Sequence, residues 1–124
     1  MPAFTILFFR DEDGSAPFPE WFDHLPEKAK VKCRARLELL AHFGHQLRRP
    51  AADYLRDGIY ELRAKADRIQ YRMLYFFHGR AAAVIVHGIT KRGAAVPPID
   101  VERACRRKEA FETDPLVHTY REAR

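Results

Sequence analysis

Cysteine is scarce in this sequence, which has only Cys33 and Cys105 among 124 residues. Two cysteines are too few for a disulfide framework, and their separation does not match the spacing of metal ligands. Both fall in segments that we predict to be helical, where a cysteine is typically a small buried apolar group. We therefore expect no cysteine nucleophile, no metal site and no cofactor.

Long apolar runs are also missing. The longest are FTILFF (4–9) and AAAVIVHGI (81–89), far short of the roughly 20 residues that cross a bilayer. The N-terminus has no cationic leader before its apolar run and no small-residue cleavage site after it, so a secretory signal is not expected. We expect a cytoplasmic protein that has no membrane partner.

The residues that are present suit a small folded domain. Hydrophobic residues make up 47% of the chain and charged residues 31%, which is enough to build a core and remain in solution. A chain of 124 residues leaves no room for a second core, so 1–124 is predicted to be one domain with a terminal tail at 115–124. The formal charge of +5 favours an anionic partner, nucleic acid first, although an excess carried for solubility explains it equally well.

Periodicity and turn signals divide the chain into elements. Strands are predicted at 4–9, 59–65, 69–78 and 82–90, helices at 18–25, 26–44 and 98–112, and a connection at 45–58. The fold class is therefore α+β: an N-terminal strand and two helices, then a three-stranded antiparallel meander and a C-terminal helix. Helix 26–44 is expected to cover one face of the sheet and to turn its lysines and arginines to solvent. The other face is expected to stay partly open and to hold the site.

The first hairpin of the meander has two open registers. If ADR (66–68) is a three-residue loop, residue 63 pairs with 71, and Glu61, Arg63, Lys65 and Tyr71 share one face while Arg72 lies on the other. If the loop has two residues, Glu61 comes opposite Arg72 and becomes its internal partner. The sequence does not choose between an internal carboxylate and an external phosphate as the partner of this arginine.

Arginines and lysines near the ends of these strands suit RNA cleavage without a metal. In that reaction the 2′-hydroxyl attacks the neighbouring phosphate, and guanidinium forks neutralise the charge on its oxygens. Lysine, tyrosine or histidine can act as general acid or base. His87, near the end of the last strand, is better explained as a packed strand histidine than as a catalyst.

Three stretches, LLAHFGHQLRRPAADYLRDGIYELR, YRMLYFF and VIVHGITKRGAAVPP, resemble the RelE/ParE superfamily of bacterial toxins, in particular its phage-derived HigB-like branch. The resemblance runs from about Phe4 to Arg107. It implies a RelE-like α+β toxin of a type II toxin-antitoxin system. Its expected partners are a cognate antitoxin, a small helix-turn-helix protein, together with the ribosome and messenger RNA.

The resemblance also implies residue roles. Arg72 matches the strand arginine that contacts the scissile phosphate, and Lys91 and Arg92 match the basic pair after the last strand; these three are the candidate catalytic residues. Arg63 matches a position that is basic in many members of the branch. Lys65 and Tyr71, chosen by residue type and not by the match, join Arg63 as the candidate RNA- and phosphate-binding residues. Two departures are that Arg92 replaces a common second lysine and that residues 93–100 contain no tyrosine.

The function predicted from this resemblance is a metal-independent endoribonuclease that cleaves ribosome-bound messenger RNA and so inhibits translation. One alternative is a non-enzymatic, ParE-like inhibitor of DNA gyrase. Another is a catalytically degenerate member that only binds antitoxin or RNA.

Overall fold

A computed structural model describes residues 3–91, 93 and 95–121. Its helices are α1 (Pro17–Asp23), α2 (Glu27–Phe43) and α3 (Pro98–Thr113), with a short 3₁₀ turn at Gly44–Gln46. Its strands are β1 (Thr5–Phe8), β2 (Ala52–Arg56), β3 (Ile59–Ala66), β4 (Ile69–His78) and β5 (Ala82–Lys91). The predicted α+β class is confirmed. Of the described helices, none is both long enough and apolar enough to span a bilayer.

The sheet is larger than the predicted three-stranded meander. Its five described strands run in the order β1-β5-β4-β3-β2, with β1 parallel to β5 and the other pairs antiparallel. The prediction that 45–58 is only a connection was wrong, because Ala52–Arg56 forms an edge strand. Asp57 and Gly58, both at positive φ (52° and 81°), make the tight turn that pairs β2 with β3.

The β3–β4 hairpin has a two-residue loop. Asp67 and Arg68 both adopt positive φ, 50° and 69°, and Ala66 pairs with Ile69. Arg63 therefore lies opposite Arg72 and Ala64 opposite Tyr71, so the three-residue loop was the wrong alternative. The pairing of Glu61 opposite Arg72, expected for a two-residue loop, was also wrong, because Glu61 pairs with Leu74. The two arginines share one face of the sheet, and Tyr71 lies on the other.

The first face packs against α1 and α2. Cys33 and Leu40 of α2 are fully buried against Leu62, Met73 and other strand residues. Burial raises the pKa of the Cys33 thiol to about 11, so it stays protonated and unreactive at neutral pH. One predicted detail was wrong, since Cys105 is only partly buried.

Helix α3 covers the apolar part of the second face, which was expected to stay partly open. Ala104 and Phe111 of α3 pack with strand residues such as Leu74 and Phe76 in a second apolar cluster. A bulge in β5, where Leu74 pairs with His87 but Tyr75 pairs with Ile85, turns both Val86 and His87 towards α3. What stays open on this face is its edge beyond the apolar cluster.

The C-terminal segment packs against β1. Thr119 forms an antiparallel bridge with Phe9, and the backbone N–H of Tyr120 donates to the carbonyl of Phe8 at 2.8 Å. His118 is buried and stacks on Phe9, with 5.2 Å between the ring centroids. Residues 115–121 of the predicted terminal tail thus border the first strand of the sheet.

Helix α1 is fixed to β5 through Trp21. Its indole covers Gly88 so closely that a Cβ at this position would overlap the ring. The indole N–H also donates to the Thr90 hydroxyl at 3.0 Å. Glycine at 88 is therefore required by the close approach of a side chain rather than by backbone conformation.

We predict that Gly88→Ala lowers the free energy of unfolding by about 1–3 kcal/mol, because the methyl group overpacks the contact with Trp21. Trp21 is the single tryptophan, so its fluorescence reports the displacement during urea unfolding. Gly93→Ala is the matched control, since its nearest neighbour would be Lys91 at an ordinary 3.8 Å. Equal stability of the two variants would contradict the prediction.

Candidate functional site

Two rows of polar side chains lie at one end of the sheet, on the face that carries α3. One row joins Lys65, Gln70 and Lys91 across β3, β4 and β5. The next row on the same face, two residues along each strand, joins Arg63, Arg72 and Ile89. Because alternate residues of a strand point to the same side, four of the predicted site cations share this face: Lys65, Arg63, Arg72 and Lys91.

A buried carboxylate joins the two arginines. Glu61, which is 4% exposed, pairs with Leu74 and so lies diagonally across from Arg72. One of its oxygens is 3.1 Å from Arg72 Nε, and the other is 2.8 Å from Arg63 Nη2. The internal partner of Arg72 is thus a carboxylate of its own chain.

The ion pairs continue to the edge strand. Asp53 of β2 is 3.3 Å from Arg63 and 2.8 Å from Arg49, and the hydrogen bond from Arg49 lowers the pKa of the Asp53 carboxyl. The network therefore contains three guanidiniums and two carboxylates, which leaves one positive charge uncompensated. We expect that charge to make the end of the sheet attractive to anions.

Arg72 is held in place, but not all of its N–H donors are hydrogen-bonded. It is 6% exposed, its Nη2 donates to the side-chain oxygen of Gln70, and its Nε makes no aligned hydrogen bond to any described residue despite the nearby Glu61. Because a guanidinium can only donate, it turns the amide oxygen of Gln70 towards itself. The amide NH₂ of Gln70 is thereby left as a donor in the row between Lys65 and Lys91.

The two lysines are the accessible cations of the set. Lys65 is exposed and Lys91 partly exposed. Neither forms an ion pair with a carboxylate of the described residues, whereas Arg63 and Arg72 both do. Arg92, predicted to act beside Lys91, lies outside the described residues.

Tyr71 is separated from these cations. It is 2% exposed on the opposite face, and its ring centroid lies 6.2 Å from that of Trp21. The placement of Tyr71 on one face with Arg63 and Lys65 was wrong, because it depended on the three-residue loop. The structure gives Tyr71 a packing role under α1.

His87 lies beneath α3 next to this site. Arg107 Nη1 is 2.9 Å from His87 Nδ1; since the guanidinium only donates, Nδ1 accepts and the ring proton is on Nε2. Nε2 lies 3.7 Å from Asp100 Oδ1 and has no hydrogen bond among the described residues. Burial, followed by the charges of Arg107 and Arg103, lowers the pKa of His87 to about 4, so the ring is neutral at pH 7.

Sequence reasoning missed several of these participants. Gln70 and Asp53 were not recognised because their roles depend on register and on the unpredicted strand β2. Asp100 and Arg107 of α3 were given no role in the site. Their spacing with Ala104, at i, i+4 and i+7, is the signal that they share the sheet-facing side of α3. Among the described residues, no group of three or more histidine, cysteine or acidic side chains is placed to hold a metal ion.

Comparison with known families adds a classification. Residues 20–109 match the family model described as phage-derived protein Gp49-like (DUF891). The match covers well over half of the chain, which therefore belongs to this family. The family is associated with RelE-like toxins and is compatible with the toxin of a toxin-antitoxin system. No curated protein has significant sequence similarity to the chain.

We predict that Glu61→Gln destabilises the fold by about 3 kcal/mol or more, because it leaves the buried Arg72 guanidinium without a charged partner. The free energy of unfolding from urea titration measures this effect. Glu38→Gln on the exposed side of α2 is the control and should change it by less than about 0.5 kcal/mol. A loss below about 1 kcal/mol for Glu61→Gln would mean that the ion pair contributes little net stability.

We also predict that His87 makes the fold sensitive to acid. Its folded pKa of about 4 lies below the unfolded value of about 6.5, so the unfolded state takes up a proton first as the pH falls. Stability is therefore lost between about pH 6.5 and pH 4, by up to about 3 kcal/mol.

Urea titrations of the wild type and of His87→Gln between pH 7 and pH 4.5 test this prediction. The stability of the wild type relative to the variant should fall across this window, because glutamine does not titrate. His42→Gln, at an exposed position of α2, serves as the control. A pH-independent difference between the wild type and His87→Gln would rule out His87 as the source.

Proposed function

We propose that this protein is the toxin of a type II toxin-antitoxin system and acts as a metal-independent endoribonuclease on ribosome-bound messenger RNA. The observation that carries the proposal is the pair of rows at the end of the sheet, which brings Lys65, Gln70 and Lys91 next to Arg63 and Arg72. The family's association with RelE-like toxins supports the same function. The wider RelE/ParE superfamily and its HigB-like branch are part of this proposal.

In this proposal the row of Lys65, Gln70 and Lys91 receives the scissile phosphate. Two ammonium groups and an amide NH₂ donate to its oxygens, and the charge that develops during attack by the 2′-hydroxyl is neutralised there. The lysines are the accessible groups, so they make the first contacts with RNA.

Arg72 acts in this proposal as a positioning residue. It is nearly buried, is fixed by Glu61, and directs the amide of Gln70. It also adds its positive charge behind the phosphate, where the surrounding apolar cluster weakens solvent screening. Arg63, with 31% of its side chain exposed, lies between the buried and accessible cations and can contact the neighbouring phosphate.

The proposed partners are the ribosome, messenger RNA and a cognate antitoxin, a small helix-turn-helix protein. An antitoxin that presents an acidic segment would be attracted to the unpaired lysines and would exclude RNA from the same row. The second candidate function is a non-enzymatic, ParE-like gyrase inhibitor. It is favoured by the ion pairs of Arg63 and Arg72 with Glu61 and Asp53, which suit a structural network rather than contact with a phosphate.

We predict that Lys65→Ala with Lys91→Ala relieves growth arrest after induction and lowers messenger RNA cleavage at least about tenfold, because the variant cannot make charge-assisted bonds to the phosphate. Neither lysine is an ion-pair partner of a described carboxylate, so the fold should keep its thermal midpoint. Mapping of RNA ends after induction measures cleavage. Lys28→Ala with Lys32→Ala, two exposed lysines of α2, is the matched control and should stay toxic.

Two outcomes would count against the nuclease. Intact messages together with altered plasmid supercoiling would favour gyrase inhibition. Undiminished cleavage by a folded Lys65→Ala, Lys91→Ala variant would remove the row from the reaction.

A further inference from the structure

A second cationic surface lies on the other side of α3. Here α3 and the loop after β1 enclose an open pocket of about 330 Å³. Its lining consists of Phe9, Asp11, Arg103, Arg106, Arg107 and Ala110. We call this the α3 arginine pocket.

Positive charge is in excess in the α3 arginine pocket. Three guanidiniums face one lining carboxylate, Asp11, which lies 3.9 Å from Arg107 Nη2. Arg103 has a partner outside the lining, with Nη1 3.4 Å from Asp100 Oδ1. Arg106 is exposed and pairs with no carboxylate of the described residues. The pocket therefore brings three positive charges together, and its one carboxylate does not compensate them.

Arg107 is the most enclosed of the three pocket arginines. It is largely enclosed, with 24% of its side chain exposed, and its guanidinium lies 5.9 Å from the centroid of Phe9. One N–H is directed at the neutral His87 rather than at a carboxylate. Burial lowers the pKa of Arg107, and the charges of Arg103 and Arg106 add to this against the opposing effect of Asp11. A bound anion would relieve both the repulsion and the incomplete pairing.

We propose that the α3 arginine pocket binds a backbone phosphate of RNA, at a site separate from the Lys65, Gln70 and Lys91 row. This inference rests on the proposed function, because it assigns a second contact to the same RNA. Planar guanidinium forks match phosphate oxygens in two-point contacts. The pocket has a wide mouth and a single carboxylate, features that suit a phosphodiester that passes through rather than a ligand that is enclosed.

The position of the pocket fits one continuous RNA strand. Arg107 contacts His87 of β5, and Lys91 follows four residues later on the same strand. Four residues of extended chain span about 13 Å, a distance that a few nucleotides bridge. RNA that enters at the pocket would be directed along the α3 side of β5 towards Lys91.

Binding of a short fluorescent RNA with 2′-O-methyl groups throughout, which cannot be cleaved, tests the proposal. Anisotropy titrations at several salt concentrations give both the affinity and its salt dependence. Arg103→Gln with Arg106→Gln removes two pocket cations but leaves Arg107 and its contact with His87 in place. Arg34→Gln with Arg80→Gln removes two exposed arginines elsewhere and is the matched control. Circular dichroism and the thermal midpoint establish that each variant is folded.

We expect the pocket variant to bind about tenfold more weakly at moderate salt and its salt slope to fall by about 0.7 for each phosphate that it no longer neutralises. The control should keep the slope of the wild type. Lys91→Ala, measured in parallel, reports on the strand row.

Wild-type affinity and slope in the pocket variant, together with weaker binding by Lys91→Ala, would overturn the pocket and leave the proposed function standing. Absence of RNA binding by the wild type would overturn the pocket proposal, whereas the proposed function on ribosome-bound messenger RNA is tested separately by mapping RNA ends after induction. Weaker binding of an antitoxin, with RNA binding unchanged, would also overturn the RNA assignment and make the pocket a protein-binding surface.

Discussion

The placement of Glu61 between Arg63 and Arg72 is the constraint on which the rest of the site depends. A carboxylate that is 4% exposed is tolerated only when cations surround it, and this arrangement exists in one register of β3 against β4. A slip by one residue would turn an arginine into the apolar face under α2. The same pairing directs Arg72 to Gln70 and so sets the donors of the row between Lys65 and Lys91. The register of β3 and β4 therefore determines the ion pairs and, through them, the geometry of the candidate site.

Most elements of the fold could be predicted from the sequence, because hydrophobic periodicity and the prolines at the helix starts are local signals. The register of β3 and β4 could not, because Asp67 and Arg68 adopt positive φ without the glycine that normally marks such a turn. Strand β2 was missed although Asp57-Gly58 is a strong hairpin signal, because a proline such as Pro50 is typical of a connecting segment. The cover by α3 depends on long-range packing of Ala104 and Phe111, which no local pattern encodes.

Four cations of the candidate site were named from the sequence, but their arrangement was not predicted. Arg63, Arg72, Lys65 and Lys91 do share a face, yet their environments differ: the arginines are paired with carboxylates, and the lysines are accessible. The paired arginines therefore stabilise the site, whereas the accessible lysines can bind a ligand. Tyr71 was placed with them only by a register that the chain does not adopt. Gln70 carries no charge and so gives no signal in the sequence, although its neighbours leave its amide as a directed donor.

The parallel pairing of β1 with β5 has a consequence for how the chain folds. Thr5 pairs with Ala82, and Phe9 is bridged by Thr119, so contacts of the first strand are with residues made much later. Such long-range closure is slow, because the chain loses loop entropy before these contacts form. During synthesis the hairpin of β3 and β4 can form from neighbouring residues, whereas β1 cannot pair until β5 has been synthesised. The nascent chain therefore acquires its complete sheet only late in its own translation.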